Sequence, residues 1–294
     1  MTTNKSRQTK NKSPKKISAA LKTPLAKRRQ LDALLRDYGS LLIAYSGGVD
    51  STFLAAAAGE VLGKKALAVT ADSESLAACE RAWASACAKR FGFRHCFVKT
   101  DELRDERYAA NDENRCRYCK TALMKKLKAV SRREKIAPIA LGAIADDADD
   151  IRPGEKAAAE CGAVFPLKEI GFTKAEVRLL SRAMKLPTWD KPAAPCLSSR
   201  IAFGEPITAE KLKRVERAEA FLHDLGFLEC RVRLHGPLAR IEVPRRRLKA
   251  LTAAAAKVSA QLRSCGFTYV TADLDGFRSG SLHEATGKKP PFRG

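Results

Sequence analysis

Residues 46–52 read Ser46-Gly47-Gly48-Val49-Asp50-Ser51-Thr52. They follow an apolar, β-like run, Leu41-Leu42-Ile43-Ala44-Tyr45, and lead into a helix-forming stretch from Thr52 to Leu62. A strand that ends in hydroxyl and glycine residues and turns into a helix N-terminus suits phosphate. Glycines let the backbone come close to an anion and turn its N–H groups inward. The helix start adds unpaired donors and the positive end of its dipole, and Ser46, Ser51 and Thr52 add hydroxyls. Asp50 is the odd member, because a carboxylate repels phosphate unless a cation lies between them; a Mg²⁺-nucleotide reconciles the two. The stretch is not a Walker loop, since no Lys follows Gly48. The competing reading is a glycine-rich turn with no ligand.

Outward from this loop the pattern alternates. Strands are predicted at Ala66–Ala71, His95–Lys99 and Pro138–Leu141, and helices at Leu76–Phe91 and Lys120–Lys135, with a polar loop over Asn111–Arg117. That alternation predicts an α/β fold with a doubly wound, mainly parallel sheet. Ligands of such sheets sit beyond the carboxyl ends of the strands. Asp72, Asp101, Asp146 and Asp147 all follow strands there, on the same edge as Ser46. A short strand is predicted within Cys161–Leu167, then a helix over Phe172–Met184 with Thr173 and Glu176 as a capping box. Pro187, Pro192 and Pro195 then mark a stiff, non-helical passage. The last third changes rhythm. A helix (Thr208–Leu225), two alternating runs (Glu229–Leu234 and Ala239–Val243) turned at His235-Gly236-Pro237, a helix (Arg246–Cys265) and a strand (Thr268–Leu274) predict a small α+β domain with antiparallel pairing. The expected organisation is a basic tail (1–30), a nucleotide domain (31–190), a cysteine-bearing linker (191–206), a C-terminal α+β domain (207–285) and a short tail (286–294).

Bulk properties set outer bounds. Hydrophobic residues make up 45% of the 294, enough for an ordinary core, and no run is long and apolar enough to predict a membrane span. Residues 1–30 hold ten Lys/Arg and no Asp/Glu, so the rest carries +12 of the net +22. The tail reads as a solvated arm, or as a contact for nucleic acid. Nine cysteines, an odd number, in an α/β pattern speak against a secreted disulfide scaffold and for a reducing cytoplasm.

Four further constellations carry chemistry. Gly142-Ala143-Ile144-Ala145-Asp146-Asp147, with Arg152-Pro153-Gly154 soon after, places paired acids at a strand end, for Mg²⁺ or for orienting a substrate; a solvated loop is the plain alternative. Cys116-Arg117-Tyr118-Cys119 lies beside Arg115 and Lys120, cations that favour thiolate. The pair can grip a metal or cluster, form a redox couple, or be chance among nine cysteines; no second pair is spaced for a zinc site. Cys196 stands in Lys191-Pro192-Ala193-Ala194-Pro195-Cys196-Leu197-Ser198-Ser199-Arg200. Prolines present the thiol on a stiff backbone, and Arg200 or Lys191 can stabilise a thiolate or hold phosphate. A small buried apolar cysteine is the alternative. Arg231 and Arg233 alternate on a strand and so share one face, suited to a substrate phosphate or to solvent.

The loop at 46–52 resembles the pyrophosphate loop of the N-type ATP pyrophosphatases. Taken with NRCRYCK (114–120), GAIADD (142–147), RPG (152–154), PCLSSRIAFGEPIT (195–208), RVRLHGPLARIEVP (231–244) and DLDGFRSGS (273–281), residues 30–285 resemble the LarE family. These are ATP-dependent sulfur transferases of nickel-pincer cofactor biosynthesis. The resemblance implies an adenine nucleotide alpha hydrolase-like domain. It also implies adenylation of pyridinium-3,5-biscarboxylic acid mononucleotide with loss of pyrophosphate, then replacement of AMP by sulfur. ATP and pyrophosphate would meet Ser46, Gly47, Gly48, Asp50, Ser51, Thr52, Asp72, Gly142 and Arg200, with Asp50 and Asp147 toward Mg²⁺. Arg231 and Arg233 would meet the substrate phosphate, and Glu219 would lie near the reacting sulfur. The family divides by sulfur source. In one group a cysteine gives up its own sulfur; in the other three cysteines hold a [4Fe–4S] cluster. Cys116, Cys119 and Cys196 together suit the second. A homo-oligomer, hexameric in the family, is implied as well. Two relatives in chemistry stay open, a tRNA-thiolating enzyme and an ammonia-dependent synthetase of the NAD or GMP type, as does a non-catalytic nucleotide-binding module.

Overall fold

The computed structural model describes residues 22–147, 153–278 and 281–282. The first 21 residues of the predicted tail, Arg152 and the terminal segment 286–294 lie outside them. Helix α1 (Lys22–Tyr38) begins earlier than the tail boundary expected at residue 30. Tertiary contacts hold this basic stretch: Lys27 bonds Glu176 at 2.7 Å, and Arg28 pairs with Asp32 and Glu60.

Four strands, β1 (Leu41–Ala44), β2 (Ala66–Asp72), β3 (His95–Lys99) and β4 (Ile139–Leu141), form one parallel sheet in the order β3-β2-β1-β4. Between them lie α2 (Val49–Leu62), α3 (Ala78–Phe91), the single turn α4 (Glu106–Ala109) and α5 (Arg115–Glu134). Alternation puts Leu41, Ile43, Ala66 and Ala68 into one apolar cluster, with α1, α2 and α3. Leu42, Leu67 and Val69 enter another, with Met124 and Leu127 of α5. Both faces of the sheet are therefore covered, as a parallel sheet requires. The strand order reverses between β1 and β4, so the crevice for a ligand opens where Ser46 and Gly142 leave the sheet.

Helices α6 (Pro153–Glu160), α7 (Pro166–Glu169) and α8 (Lys174–Ala183) follow β4. The strand expected within Cys161–Leu167 shrinks to a single bridge, Ala140 to Val164, because Pro166 opens α7 directly after it. The capping box of Thr173 and Glu176 forms as expected.

The last third holds α9 (Ala209–Asp224), capped by Thr208, the hairpin β5 (Arg231–His235) and β6 (Leu238–Glu242), α10 (Leu248–Ala253), α11 (Ala255–Ser264) and β7 (Tyr269–Ala272). The sheet is mixed rather than antiparallel. β5 and β6 pair antiparallel, but β7 runs parallel to β6, because the α10–α11 crossover returns the chain to the end where β6 began. The core beneath it also contains Tyr108, and Leu103, Tyr118 and Cys119 pack against it, so the two sheets share side chains. Glu216 of α9 reinforces the join by accepting the Ala78 N–H at the start of α3 at 2.6 Å. Among the described residues no helix is long and apolar enough to cross a membrane.

Candidate active site

The 46–52 loop is held open by its own hydroxyls. Ser51 Oγ lies 3.0 Å from Ser46 Oγ and accepts the Ser46 N–H at 3.2 Å. Gly47 has φ +71°, a left-handed conformation that suits glycine, and Gly142 comes so close that a Cβ on it would lie 2.9 Å from Ser51 N. Thus Gly142, expected at the nucleotide, acts first as the floor that lets β4 pass under the start of α2. Thr52 is fully buried.

Two lysines reach this loop: Lys191, weighed above for thiolate or phosphate, and Lys174, which the sequence reading left out. Lys174, at the start of α8, donates from Nζ to Asp50 at 2.5 Å and from its backbone N–H to Asp146 at 2.7 Å. The expected Mg²⁺ ligand Asp50 is therefore charge-paired, and the side chain of its expected partner Asp147 lies outside the described residues. Lys191 donates to the Gly47 carbonyl at 3.2 Å and pairs with Glu80 at 2.6 Å. Asp72 stands at the end of β2 as expected, in an ion pair with Arg81 at 3.0 Å.

Cys116 and Cys119 are not in a loop. Helix α5 starts at Arg115, after an Asp112 side chain accepts the Asn114 N–H at 2.8 Å and the Asn114 carbonyl takes the N–H of Arg117. Positions three apart on a helix share a face. Cys196 ends the proline passage just before the turn Leu197–Arg200. The Leu197 N–H donates to the Ser75 carbonyl at 2.9 Å, which ties this segment to the loop after β2. Cys119 lies within electrostatic reach of both Cys116 and Cys196. Burial, then negative charge on Cys196 and Glu102, pushes the Cys119 thiol up to about 12. Cys116 and Cys196 are exposed. Glu102 is buried beside Cys119, and its Oε2 has no hydrogen-bond partner.

Three residues assemble this corner: Tyr108 and Asn111, which sequence reasoning passed over, and Arg115, read there only as a cation beside the thiols. Tyr108 Oη lies 2.6 Å from Ser198 Oγ. Arg115 donates to Asn111 Oδ1 at 2.6 Å and to the Ser198 carbonyl at 2.9 Å. Asn111, at φ +59°, donates to the carbonyls of Ala202 and Glu205 at 2.7 and 3.0 Å. An Asn in so polar a stretch was the available signal, since Asn tolerates the left-handed conformation.

Among the described residues no three His, Cys, Asp or Glu side chains are gathered tightly enough for a single metal ion. A [4Fe–4S] cluster makes a different demand, because its cysteines bind separate irons and stand further apart. Cys119, interacting with the two exposed thiols Cys116 and Cys196, gives a donor set of the kind such a cluster takes.

The arginines are placed differently from expectation. Arg200 is buried and a carboxylate claims it: its Nε and Nη2 meet the two oxygens of Glu219, both at 3.0 Å. Its Nη1 donates to the carbonyls of Pro195 and Cys196, the latter at 3.1 Å. Glu219 also accepts the Val232 N–H at 2.9 Å, so it braces the Cys196 turn through Arg200. Burial works to raise its carboxyl, but the Arg200 charge and hydrogen bonds, with Arg231 behind them, hold it below the usual carboxylate range. Arg231 and Arg233 do share one face, yet both are buried. Arg233 is neutralised by Glu242 at 2.8 Å and also donates to the Ser199 carbonyl at 3.0 Å. Arg231 donates to the carbonyls of Cys230 and Ala193 at 2.7 and 2.8 Å. Burial, then the neighbouring Arg200, lowers it to about 10, which marks a crowded positive centre beside the cysteine arm.

Clefts of about 340 and 260 Å³ open at the opposite, amino edge of the sheet, among Lys64, Lys65, Arg94 and Lys135. Lys64 and Lys65 follow the end of α2 and Lys135 caps α5, where cations complement the negative ends of helices. The chemistry-bearing residues lie at the carboxyl edge instead.

Comparison with known proteins agrees with this layout. The asparagine synthase family matches residues 26–134, which span the phosphate loop and the Cys116 and Cys119 pair. An uncharacterized protein of Synechocystis is 44% identical over 264 residues, 88% of this chain and 98% of the relative. The pyridinium-3,5-bisthiocarboxylic acid mononucleotide synthase of Lactiplantibacillus plantarum is 36% identical over 267 residues, 90% of this chain and 97% of the relative. An uncharacterized protein of Methanocaldococcus jannaschii is 25% identical over 239 residues.

Proposed function

The chain belongs to the LarE family, that of pyridinium-3,5-bisthiocarboxylic acid mononucleotide synthase, and on that premise we propose that it activates a carboxylate with ATP and exchanges the activated oxygen for sulfur. The observation that carries this reading is the meeting of a phosphate loop and three thiols at one sheet edge, joined by Leu197 to Ser75 and Lys191 to Gly47.

In the first step a substrate carboxylate oxygen attacks the α-phosphorus of ATP, the bond from that phosphorus to the α,β-bridging oxygen breaks, and pyrophosphate leaves. The N–H groups of residues 46–52 and the start of α2 would receive it, with Lys174 and Lys191 as the nearest cations. Asp50 would exchange its ion pair with Lys174 for the metal. In the second step sulfur attacks the acyl carbon and AMP leaves, which yields a thiocarboxylate. Two such cycles convert a dicarboxylate to a bisthiocarboxylate.

The sulfur has two sources consistent with these residues. If Cys196 gives up its own sulfur, the Cβ–S bond breaks, the Cα proton leaves and dehydroalanine remains. A [4Fe–4S] cluster, when bound by Cys116, Cys119 and Cys196, supplies instead an open iron able to carry a sulfide. In either case Arg200, anchored by Glu219, holds the backbone of Cys196 in place. Arg231, next to that arm and without a carboxylate at ion-pair distance among the described residues, is the better placed of the two strand arginines for a substrate phosphate. A cytoplasmic homo-oligomer belongs to the same proposal, which light scattering tests.

The deciding experiment is anaerobic incubation with MgATP and pyridinium-3,5-biscarboxylic acid mononucleotide, read by mass spectrometry of both substrate and protein. Oxygen-for-sulfur exchange in the substrate supports the proposal. Dehydroalanine at Cys196 identifies the sacrificial route, and intact Cys196 with bound iron and sulfide identifies the other. Full turnover with ammonia, retained in Cys196→Ala, refutes both.

A further inference from the structure

The phosphate loop and Cys196 are far apart in sequence, yet a short and well-anchored arm connects them. Lys191 begins it. Its side chain is only 14% exposed, its Nζ donates to the Gly47 carbonyl at 3.2 Å and to Glu80 at 2.6 Å, and the ammonium lies 5.1 Å from the centre of the Trp83 ring. Three partners around one cation on a flexible stem hold it in a single place. Its backbone is fastened too, because Arg178 donates to the carbonyls of Trp189 and Lys191 at 2.9 and 3.2 Å.

From there to Cys196 the chain has almost no slack. Pro192 and Pro195 fix two φ angles. Arg231 holds the Ala193 carbonyl, Arg200 holds those of Pro195 and Cys196, and Ser75 accepts the Leu197 N–H. A shift of the Lys191 backbone would therefore carry along the arm toward Cys196. Gly47, whose carbonyl Lys191 grips, is a member of the loop that an incoming anion would contact. An anion there competes with that carbonyl and with Glu80 for the same ammonium, so Lys191 has different partners in the filled and empty loop. Differential contact of this kind is what coupling between two sites requires.

We propose that Lys191 is a positioning residue that couples occupancy of the phosphate loop to the placement of Cys196, so that the thiol is presented when the loop is filled. The proposal rests on the reading above that the loop binds pyrophosphate or its nucleotide.

The test measures alkylation of Cys196 by iodoacetamide in the full-length, iron-free chain, peptide by peptide, with and without magnesium pyrophosphate. Calorimetry of magnesium pyrophosphate binding runs in parallel, and the exposed Cys79 serves as an internal reference. In the wild type the Cys196 rate should change about fivefold or more on saturation, the low end of ordinary coupling between sites. In Lys191→Met, whose weaker magnesium pyrophosphate binding the calorimetry measures, that change should vanish even at saturating ligand with the melting temperature retained, and Lys191→Arg should restore part of it. An undiminished response in Lys191→Met overturns the proposal, as does a wild type that binds the ligand with no change at Cys196. A wild type that binds neither magnesium pyrophosphate nor MgATP overturns the underlying reading of the loop instead.

Discussion

The ion pair between Arg200 and Glu219 gives the sharpest prediction. Its side chains are 5% and 7% exposed, and the carboxylate takes two guanidinium bonds at 3.0 Å and a backbone N–H at 2.9 Å. Glu219→Gln keeps the shape and one acceptor but removes the charge. Arg200 is then left buried near Arg231, whose own pKa is already lowered by burial and then by the Arg200 charge. Breaking one side of a buried pair costs about 3–5 kcal/mol. Because Gln still accepts one bond, the low end applies, about 3 kcal/mol, or roughly 6–12 °C in melting temperature for a fold of this size. Urea unfolding of both proteins at pH 7 measures the difference. The sign with pH follows from the depressed carboxyl: its stabilisation is complete above the unfolded carboxylate pKa of about 4.3 and is lost as pH falls through the lower, folded value. The gap between wild type and Glu219→Gln should therefore hold from pH 7 to 5 and close in stronger acid. A double apolar replacement of Arg200 and Glu219 should recover much of the loss, since no charge is then stranded. A cost below about 1 kcal/mol for Glu219→Gln, the worth of an exposed pair, refutes the reasoning.

Three other outcomes follow from the same geometry. Gly142→Ala puts a methyl 2.9 Å from Ser51 N and should weaken ATP binding about tenfold or more, as overpacking of about 1–3 kcal/mol shifts the loop; calorimetry reads it. In the iron-free chain at pH 8, Cys119, pushed up to about 12 and half-buried, should alkylate far more slowly than the exposed Cys116; equal labelling in peptide maps would contradict this placement. Thr173→Ala removes a capping box and should cost about 1 kcal/mol by thermal melting, with little effect on nucleotide binding.

Much of the nucleotide half was legible because its signals are local. A hydroxyl and glycine turn between β1 and α2, the alternation of strand and helix, and the Thr173 cap each depend on neighbours in sequence. The start of α5 was missed because Asn111-Asp112-Glu113-Asn114 looks like loop, and no side-chain cap marks the helix start: Asp112 only turns the chain by accepting the Asn114 N–H. The parallel β7 was missed because strand direction depends on which end the α10–α11 crossover returns to, and alternation is blind to that.

The sequence by itself determined the chemistry available: a phosphate loop at Ser46–Thr52, thiols at 116, 119 and 196, and a doubly wound frame that faces them toward one edge. Only the tertiary structure decided what each charge does. Arg200, Glu219 and Arg233 look like ligands in a linear reading, because nothing local shows that Arg200 pairs with Glu219 and Arg233 with Glu242. Once buried, a charge must be met by its opposite or by backbone carbonyls, so burial turned these residues into the bracing of the Cys196 arm. The same folding brought Lys174 and Lys191 onto the loop from elements more than a hundred residues further along the chain.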